Sequence, residues 1–276
     1  MNKENTPTGP EFLKQFEDNW RTEMGAAIVG KERVVLRGID FLSTCNTRTW
    51  AEHLVFAITG KNLQQFSRLI EAMWITATSF PDPRLWVNRI AALGGTARTT
   101  CSLASNAASA VGEANAYGVR VGRRAVDVLY RFKEKLDAGS KLEDLIQHDL
   151  KIYKVVSGFG RPLTSKDERI EPLLTFAKSL GYGNGPYVKL AFDIDEYFKN
   201  SRYPFQMNVS ALMSALFADE GISPEDAYYL VIHCFFGGIY PCYIDAKNHP
   251  EGCFFPLSSP RIKYSGEYLN RIWQKT

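Results

Sequence analysis

From Trp86 to Tyr117 the side chains of this chain become small: alanine, glycine, serine and threonine crowd a stretch of about thirty residues. Small residues at that density let helix backbones approach closely, so the stretch predicts a central pair of tightly packed helices. The sequence around it keeps a helical rhythm. Phe12, Phe16 and Trp20 recur at four-residue spacing and predict one helical face over 11–23. Trp50 to Ile58 reads as a buried helix closed by Gly60, and 63–78, 120–136, 142–150, 170–180, 187–198, 208–217 and 224–236 read as further helices. Asp82 before Pro83 suits a helix start, with the aspartate as cap and the proline in the first turn. Only Val34 to Asp40 reads as a short extended piece with a turn. The expected fold class is all-α.

Composition removes several function classes. The 276 residues are 45% hydrophobic and 23% charged, enough to bury a substantial core. A net charge of +3 and a pI of about 8.5 are too mild to argue for nucleic acid or an anionic membrane. The five cysteines, Cys45, Cys101, Cys234, Cys242 and Cys253, form no CxxC pair and read as reduced thiols, with no metal site. The first ten residues lack the apolar core of a signal peptide and read as a mobile leader. No apolar run approaches the ~20 residues of a membrane span. The expectation is a cytoplasmic protein without nucleic-acid or membrane partners. No phosphate-loop or strand-led dinucleotide glycine pattern appears.

The chemistry concentrates in one stretch, Val155-Val156-Ser157-Gly158-Phe159-Gly160-Arg161-Pro162-Leu163, followed by Lys166-Asp167-Glu168-Arg169. Two glycines around an aromatic permit backbone angles and close approaches that other residues resist. Asp167 and Glu168 stand where a helix should begin ahead of Ile170, Leu173 and Leu174. Together these features suggest a preformed anion- or nucleotide-facing loop with a helix dipole behind it. Arg161 reads as an anion ligand, against a structural salt bridge. Lys166 reads equally as a phosphate-facing or a solvated lysine. Arg169 reads equally as a carboxylate ligand or an ion-pair partner of Asp167 or Glu168. His53, in the helix from Trp50, reads as a packed or half-exposed histidine, and His233, in an apolar helix, as a satisfied core histidine.

The same stretch resembles the loop of the citrate synthase superfamily, whose pattern is glycine, aromatic, glycine, histidine, a spacer, then Asp-Pro-Arg. Other pieces are similar in the right order. Leu36-Arg37-Gly38-Ile39-Asp40 with Trp50-Ala51-Glu52-His53-Leu54 and Thr59-Gly60 resembles the opening element, and Tyr117-Gly118 the end of the small-residue helix. Asn208-Val209 resembles the start of the third active-site segment, and Pro260 to Gly266 the closing element. The resemblance runs from about Trp20 to Trp273. It implies a single domain over 11–276 with a small lobe inserted at roughly 150–250. It further implies a homodimer through the small-residue helices, and acyl-CoA or CoA as substrate with no bound cofactor.

The family reaction joins a thioester and an anionic ketoacid, or reverses that step, and needs a base, an enolate donor and an acid. In this sequence the base position is Ser210, a hydroxyl that cannot take such a proton unaided. The enolate-donor position is Val121. The ketone-facing histidine is Arg161, a permanent cation suited to anions but not to proton transfer. The resemblance therefore implies Arg161 and Ser210 at the reacting centre and Arg169 and Asn208 against substrate, with Gly158, Phe159, Gly160 and Lys166 against the nucleotide. Two functions remain open: carbon–carbon bond formation or cleavage by a rebuilt site, and a catalytically silent ligand-binding or regulatory homologue.

Overall fold

The computed structural model describes residues 9–28, 30–44, 47–78, 80–115, 118–160, 166–254 and 257–267. The leader expected over 1–10 thus lies almost wholly outside the described residues. The chain divides into two compact units, one of Met1–Met73 with Gly122–Val231, the other of Trp74–Val121 with Ile232–Thr276.

Thirteen α-helices are described, and the expected all-α class holds apart from one small sheet. That sheet opens the first unit after a short helix α1 (Pro10–Lys14). Strands β1 (Gly25–Ile28), β2 (Arg33–Leu36) and β3 (Ile39–Asp40) run antiparallel, with Gly25 opposite Leu36 and Val35 opposite Asp40. Two sequence expectations are corrected here. The helix predicted over 11–23 stops at Lys14, because its apolar face is not buried: Leu13, Phe16 and Trp20 stay exposed, and an unburied amphipathic turn has little to hold it. The extended piece at 34–40 also gains a partner strand, Gly25–Ile28, whose Gly25 lets the backbone of Val35 approach so closely that a Cβ would lie 2.1 Å from its carbonyl.

After the one-turn α2 (Phe41–Thr44), helix α3 (Trp50–Thr59) begins with a reciprocal cap: Glu52 N–H donates to Thr49 Oγ1, and Thr49 N–H to Glu52 Oε2. It ends at Gly60 in the left-handed conformation, as expected. The Arg37 guanidinium closes its last turn by donating to the carbonyls of Ala57 and Ile58. His53 packs between the rings of Phe41 and Trp50, a packed histidine as predicted.

The rest of the first unit comprises most of α4 (Gln64–Ala77) and α7 (Val119–Asp137), then α8 (Leu142–Tyr153), α9 (Ile170–Ser179), α10 (Pro186–Lys199), α11 (Val209–Asp219) and α12 (Pro224–Val231). Helix α11 is its axis. Val209 and every residue from Ala211 to Ala218 are buried, so the helix is covered all round. Phe66 of α4 meets Phe217 edge-on at 5.9 Å, and Ser214 Oγ donates to the carbonyl of Gly122 in α7. Asp219 accepts from the amides of Tyr187 and Val188, so the last residue of α11 caps the start of α10.

The second unit contains the close-packed pair, α5 (Trp86–Thr96) and α6 (Cys101–Val111), and a third member, α13 (Phe236–Lys247). Its core is Val87, Ala91, Ala104, Ala108, Ile239 and Tyr243. A Cβ on Gly94 would lie 2.5 Å from the Cβ of Ala104, and one on Gly95 2.5 Å from the carbonyl of Tyr243. The small residues therefore bring three backbones together rather than two. Tyr243 then donates its hydroxyl to the carbonyl of Thr99 at 2.6 Å, and Arg98 donates to the carbonyl of His249.

Two more expectations change. Asp82 does not cap α5, which starts at Trp86 after Leu85; its carboxylate instead holds the Arg84 side chain and amide, and Asn88 fixes the turn through the carbonyls of Phe80 and Asp82. The helix predicted to stop at residue 236 continues: α12, a 3-10 turn (Ile232–Phe235) and α13 form one run from Pro224 to Lys247. Contrary to the sequence expectation, that run is long and apolar enough to cross a membrane by length and composition. Ile239, Cys242, Tyr243 and Ala246 of α13 are buried, while Tyr229, Tyr240 and Ile244 of the same run are exposed, so burial covers only part of its apolar surface.

Candidate functional site

Three short segments of the first unit meet around the start of α11: the loop 155–160, the turn 167–169 and the approach 205–208. The loop is tied to that approach by backbone bonds, to which the Asn208 side chain adds one more. Gly160 N–H donates to the Gln206 carbonyl at 2.7 Å, Asn208 N–H donates to the Gly158 carbonyl at 3.0 Å, and Phe159 bridges Met207. Both glycines have positive φ, +92° at Gly158 and +108° at Gly160. A Cβ on Gly158 would lie 2.9 Å from the Cβ of Ala211 and 3.3 Å from that of Ala125. The close approach that Gly158 permits is thus to α11 and α7. Phe159 is buried against Phe198, and the space beside Gly160 is filled by Phe205.

The first amides of α11 are all answered by protein oxygens. Asn208 is the cap: its Oδ1 accepts from the amides of Ser210 (3.0 Å) and Ala211 (3.3 Å), while its Nδ2 donates to the Gly160 carbonyl at 2.9 Å. Asp167 Oδ2 accepts from the Val209 amide at 2.9 Å. Two residues earlier, Asp195 Oδ1 of α10 accepts from the Met207 amide at 2.6 Å, with Lys199 paired to its other oxygen. This helix end is internally capped, and the anion that faces its dipole is Asp167.

Asp167 also holds Arg169. The guanidinium donates through Nε and Nη2 at 2.8 and 2.7 Å, and the Arg169 amide adds a third bond. Burial alone pushes the Asp167 carboxyl up, but the Arg169 fork and the Val209 amide outweigh it, so the group sits below its ordinary value. Between the two roles that the sequence left even for Arg169, the described contacts are those of the ion pair. Lys166 is exposed. Ser210 is half-buried, its Oγ 3.9 Å from where a Cβ on Gly122 would stand. Arg161 lies outside the described residues. Asp195 was missed by sequence reasoning: its i,i+4 spacing to Lys199 was legible, but nothing local pairs it with Met207, twelve residues on.

In the second unit His233 lies beside Trp74 and Phe236, and burial lowers its pKa, so the neutral ring is favoured. Burial likewise pushes the Cys242 thiol up to about 11, aided by Asp245 and Asp82, which keeps it protonated and unreactive.

The element order and packing are those of the citrate synthase-like fold. Among solved structures the chain is similar to citryl-CoA lyase from Hydrogenobacter thermophilus, with a TM-score of 0.77 at 18% identity over 93% of this chain and 98% of that one. It is also similar to the ATP citrate lyase of Methanosaeta concilii in complex with (3S)-citryl-CoA (TM-score 0.73, 16% identity, 96% of this chain), although it spans only 45% of that longer chain. Citrate synthase from Thermotoga maritima MSB8 aligns more loosely, with a TM-score of 0.58 at 17% identity over 80% of this chain and 59% of that one. No protein-family model and no curated protein sequence matches the chain.

Proposed function

We propose that this chain binds a CoA thioester together with an anionic acid, as a citrate synthase-like protein without that fold's usual proton chemistry. The carrying observation is the state of the carboxylates around the start of α11. Asp167 is held by Arg169 and the Val209 amide, and Asp195 by Lys199 and the Met207 amide. The side chain in the position that the resemblance gives to the base is the Ser210 hydroxyl. A carboxylate held in an ion pair is a weak base, the more so at Asp167, whose pKa is lowered, and an unactivated serine hydroxyl is weaker still. In this reading Arg161 and Lys166 attract the anionic groups, and Ser210 orients the acyl end by a hydrogen bond. The protein works as a homodimer in the cytoplasm. Support for pairing comes from α6, which leaves Ser102, Leu103, Asn106, Ala107 and Ala110 exposed along one small-residue face.

A second reading is carbon–carbon bond formation or cleavage by a rebuilt site. The observation that favours it is the alignment across nearly the whole length of a citryl-CoA lyase. A mass-spectrometric turnover screen decides between them. The protein is incubated with acetyl-CoA plus individual ketoacids, and separately with citryl-CoA, while CoA binding is measured on the same preparation. Binding without product above a protein-free blank supports the binding role. Product in either direction replaces it with the enzymatic one.

A further inference from the structure

Between α8 and the residues that lead to α11, the first unit carries a cavity of about 570 Å³, a size that suits a small-molecule ligand. One wall is a face of α8, where Asp144, Gln147, His148 and Lys151 follow at helical spacing. Lys154, in the left-handed position that ends the helix, closes one end. Two further lining residues are aromatic. Tyr203 and Phe205, two residues apart on an extended approach to α11, present parallel rings 6.2 Å apart with only 4° between their planes.

The aromatic pair is braced by its neighbours. Phe205 meets Phe198 edge-on at 5.5 Å and fills the space beside Gly160. Tyr203 is tied to α8 by donating its hydroxyl to Gln147 Oε1 at 3.4 Å, and Gln147 bonds Tyr197 through its amide nitrogen. The Arg202 guanidinium lies 5.4 Å over the Tyr203 ring. The α8 wall is cationic at its end: Lys151 and Lys154 are both exposed, and Lys154 Nζ gives one hydrogen bond to the Lys151 carbonyl. An ammonium has three donors, so donor capacity remains at the rim. Two lysines here also offset the negative end of the α8 dipole, which would otherwise repel an anion.

A braced aromatic pair lining one cavity with paired ammonium groups matches one ligand chemistry: a flat heteroaromatic ring carrying a phosphate. We infer that this groove binds a nucleoside phosphate, the base against Tyr203 and Phe205 and the phosphate at Lys151 and Lys154. Two sources share that chemistry, a free nucleotide and the nucleotide end of CoA. The inference stands on groove residues alone, apart from Asp167, Asn208 and Ser210.

The test titrates the full chain with AMP by calorimetry, with adenosine and inorganic phosphate as half-ligands. Saturable AMP binding, at least tenfold tighter than either half-ligand and at least tenfold weaker in the K151E/K154E variant, is expected. Both substitutions are on the surface and should leave the circular-dichroism spectrum and melting temperature unchanged. Tyr203→Leu, which keeps bulk and removes the ring, should weaken AMP and adenosine alike. Loss of CoA binding in K151E/K154E, with AMP and CoA competing, identifies the source as CoA. CoA binding that survives in the variant identifies a free nucleotide. No AMP binding, AMP binding no tighter than phosphate, or AMP binding unchanged in K151E/K154E overturns the inference. A chain that binds AMP but fails the thioester screen loses only the proposed function.

Discussion

Asp167 and Val209 are 42 residues apart in sequence and joined by a single hydrogen bond, the Val209 amide donating to Asp167 Oδ2 at 2.9 Å. That bond, with the Arg169 fork on the same carboxylate, ties the turn before α9 to the first turn of α11. Asp167→Ala removes a buried acceptor from two elements and leaves the Arg169 cation without its partner. Breaking such a pair costs about 3–5 kcal/mol when fully buried. With Arg169 partly exposed, a loss of about 2–3 kcal/mol is expected. Urea unfolding of the variant and the wild type measures it through the shift in midpoint, and a shift within error would show that the joint carries little stability.

The pH response of two aspartates should run in opposite directions. Asp167 is depressed in the fold, so its contribution is present above the unfolded carboxyl pKa of about 3.9 and disappears as pH falls through the lower folded value. Asp219 is raised, chiefly by burial and against the Tyr187 and Val188 amides, so its neutral form suits the fold better. Stability tied to Asp219 therefore falls as pH rises from the unfolded value through the folded one. Stability profiles from pH 3 to 7 should show the wild-type advantage over Asp167→Asn shrinking toward acid, and that over Asp219→Asn growing. Parallel profiles for both variants would refute the assignment.

Asn208 works in both directions, accepting at Oδ1 and donating from Nδ2. Asn208→Asp keeps the cap of α11 but replaces the donor to the Gly160 carbonyl with a second oxygen. Asn208→Ala loses both. The alanine variant should lose about 1–2 kcal/mol. The aspartate variant should speed amide hydrogen exchange in the loop 158–160 more than in α11. Equal acceleration in both places would count against this division of labour.

The helix triplet of the second unit depends on the missing side chain of Gly95. A methyl there would meet the Tyr243 carbonyl at 2.5 Å and the Ala246 Cβ at 3.0 Å, and neither belongs to a flexible side-chain end. Gly95→Ala gains helix propensity but forces α5 from α13, so a net loss of about 1–3 kcal/mol is expected. A stabilised variant in thermal melts would show that the two helices are less tightly apposed.

Much of this was legible in the sequence for local reasons. The left-handed Gly60 and the small side chains of α5 and α6 act within a few residues or by composition. What failed depended on distant partners. Phe12, Phe16 and Trp20 have helical spacing but are not buried, so periodicity overestimated α1. Asp82 before Pro83 has the residue types of a cap, yet a neighbouring arginine took its oxygens. The loop around Gly158 was recognised as special, but its sequence did not reveal that Ala211 occupies the room that the glycine opens. Asp195 showed only its i,i+4 spacing to Lys199, since its other partner, Met207, lies beyond the end of its own helix.

The most direct measurement is calorimetric titration of the wild type and of Arg161→Ala with acetyl-CoA, with released CoA assayed in the same mixtures after a ketoacid is added. The account predicts saturable binding by the wild type, at least fivefold weaker binding by the variant, and no CoA release above the blank from either. Absence of binding by the wild type, or CoA release that depends on the protein, would contradict it.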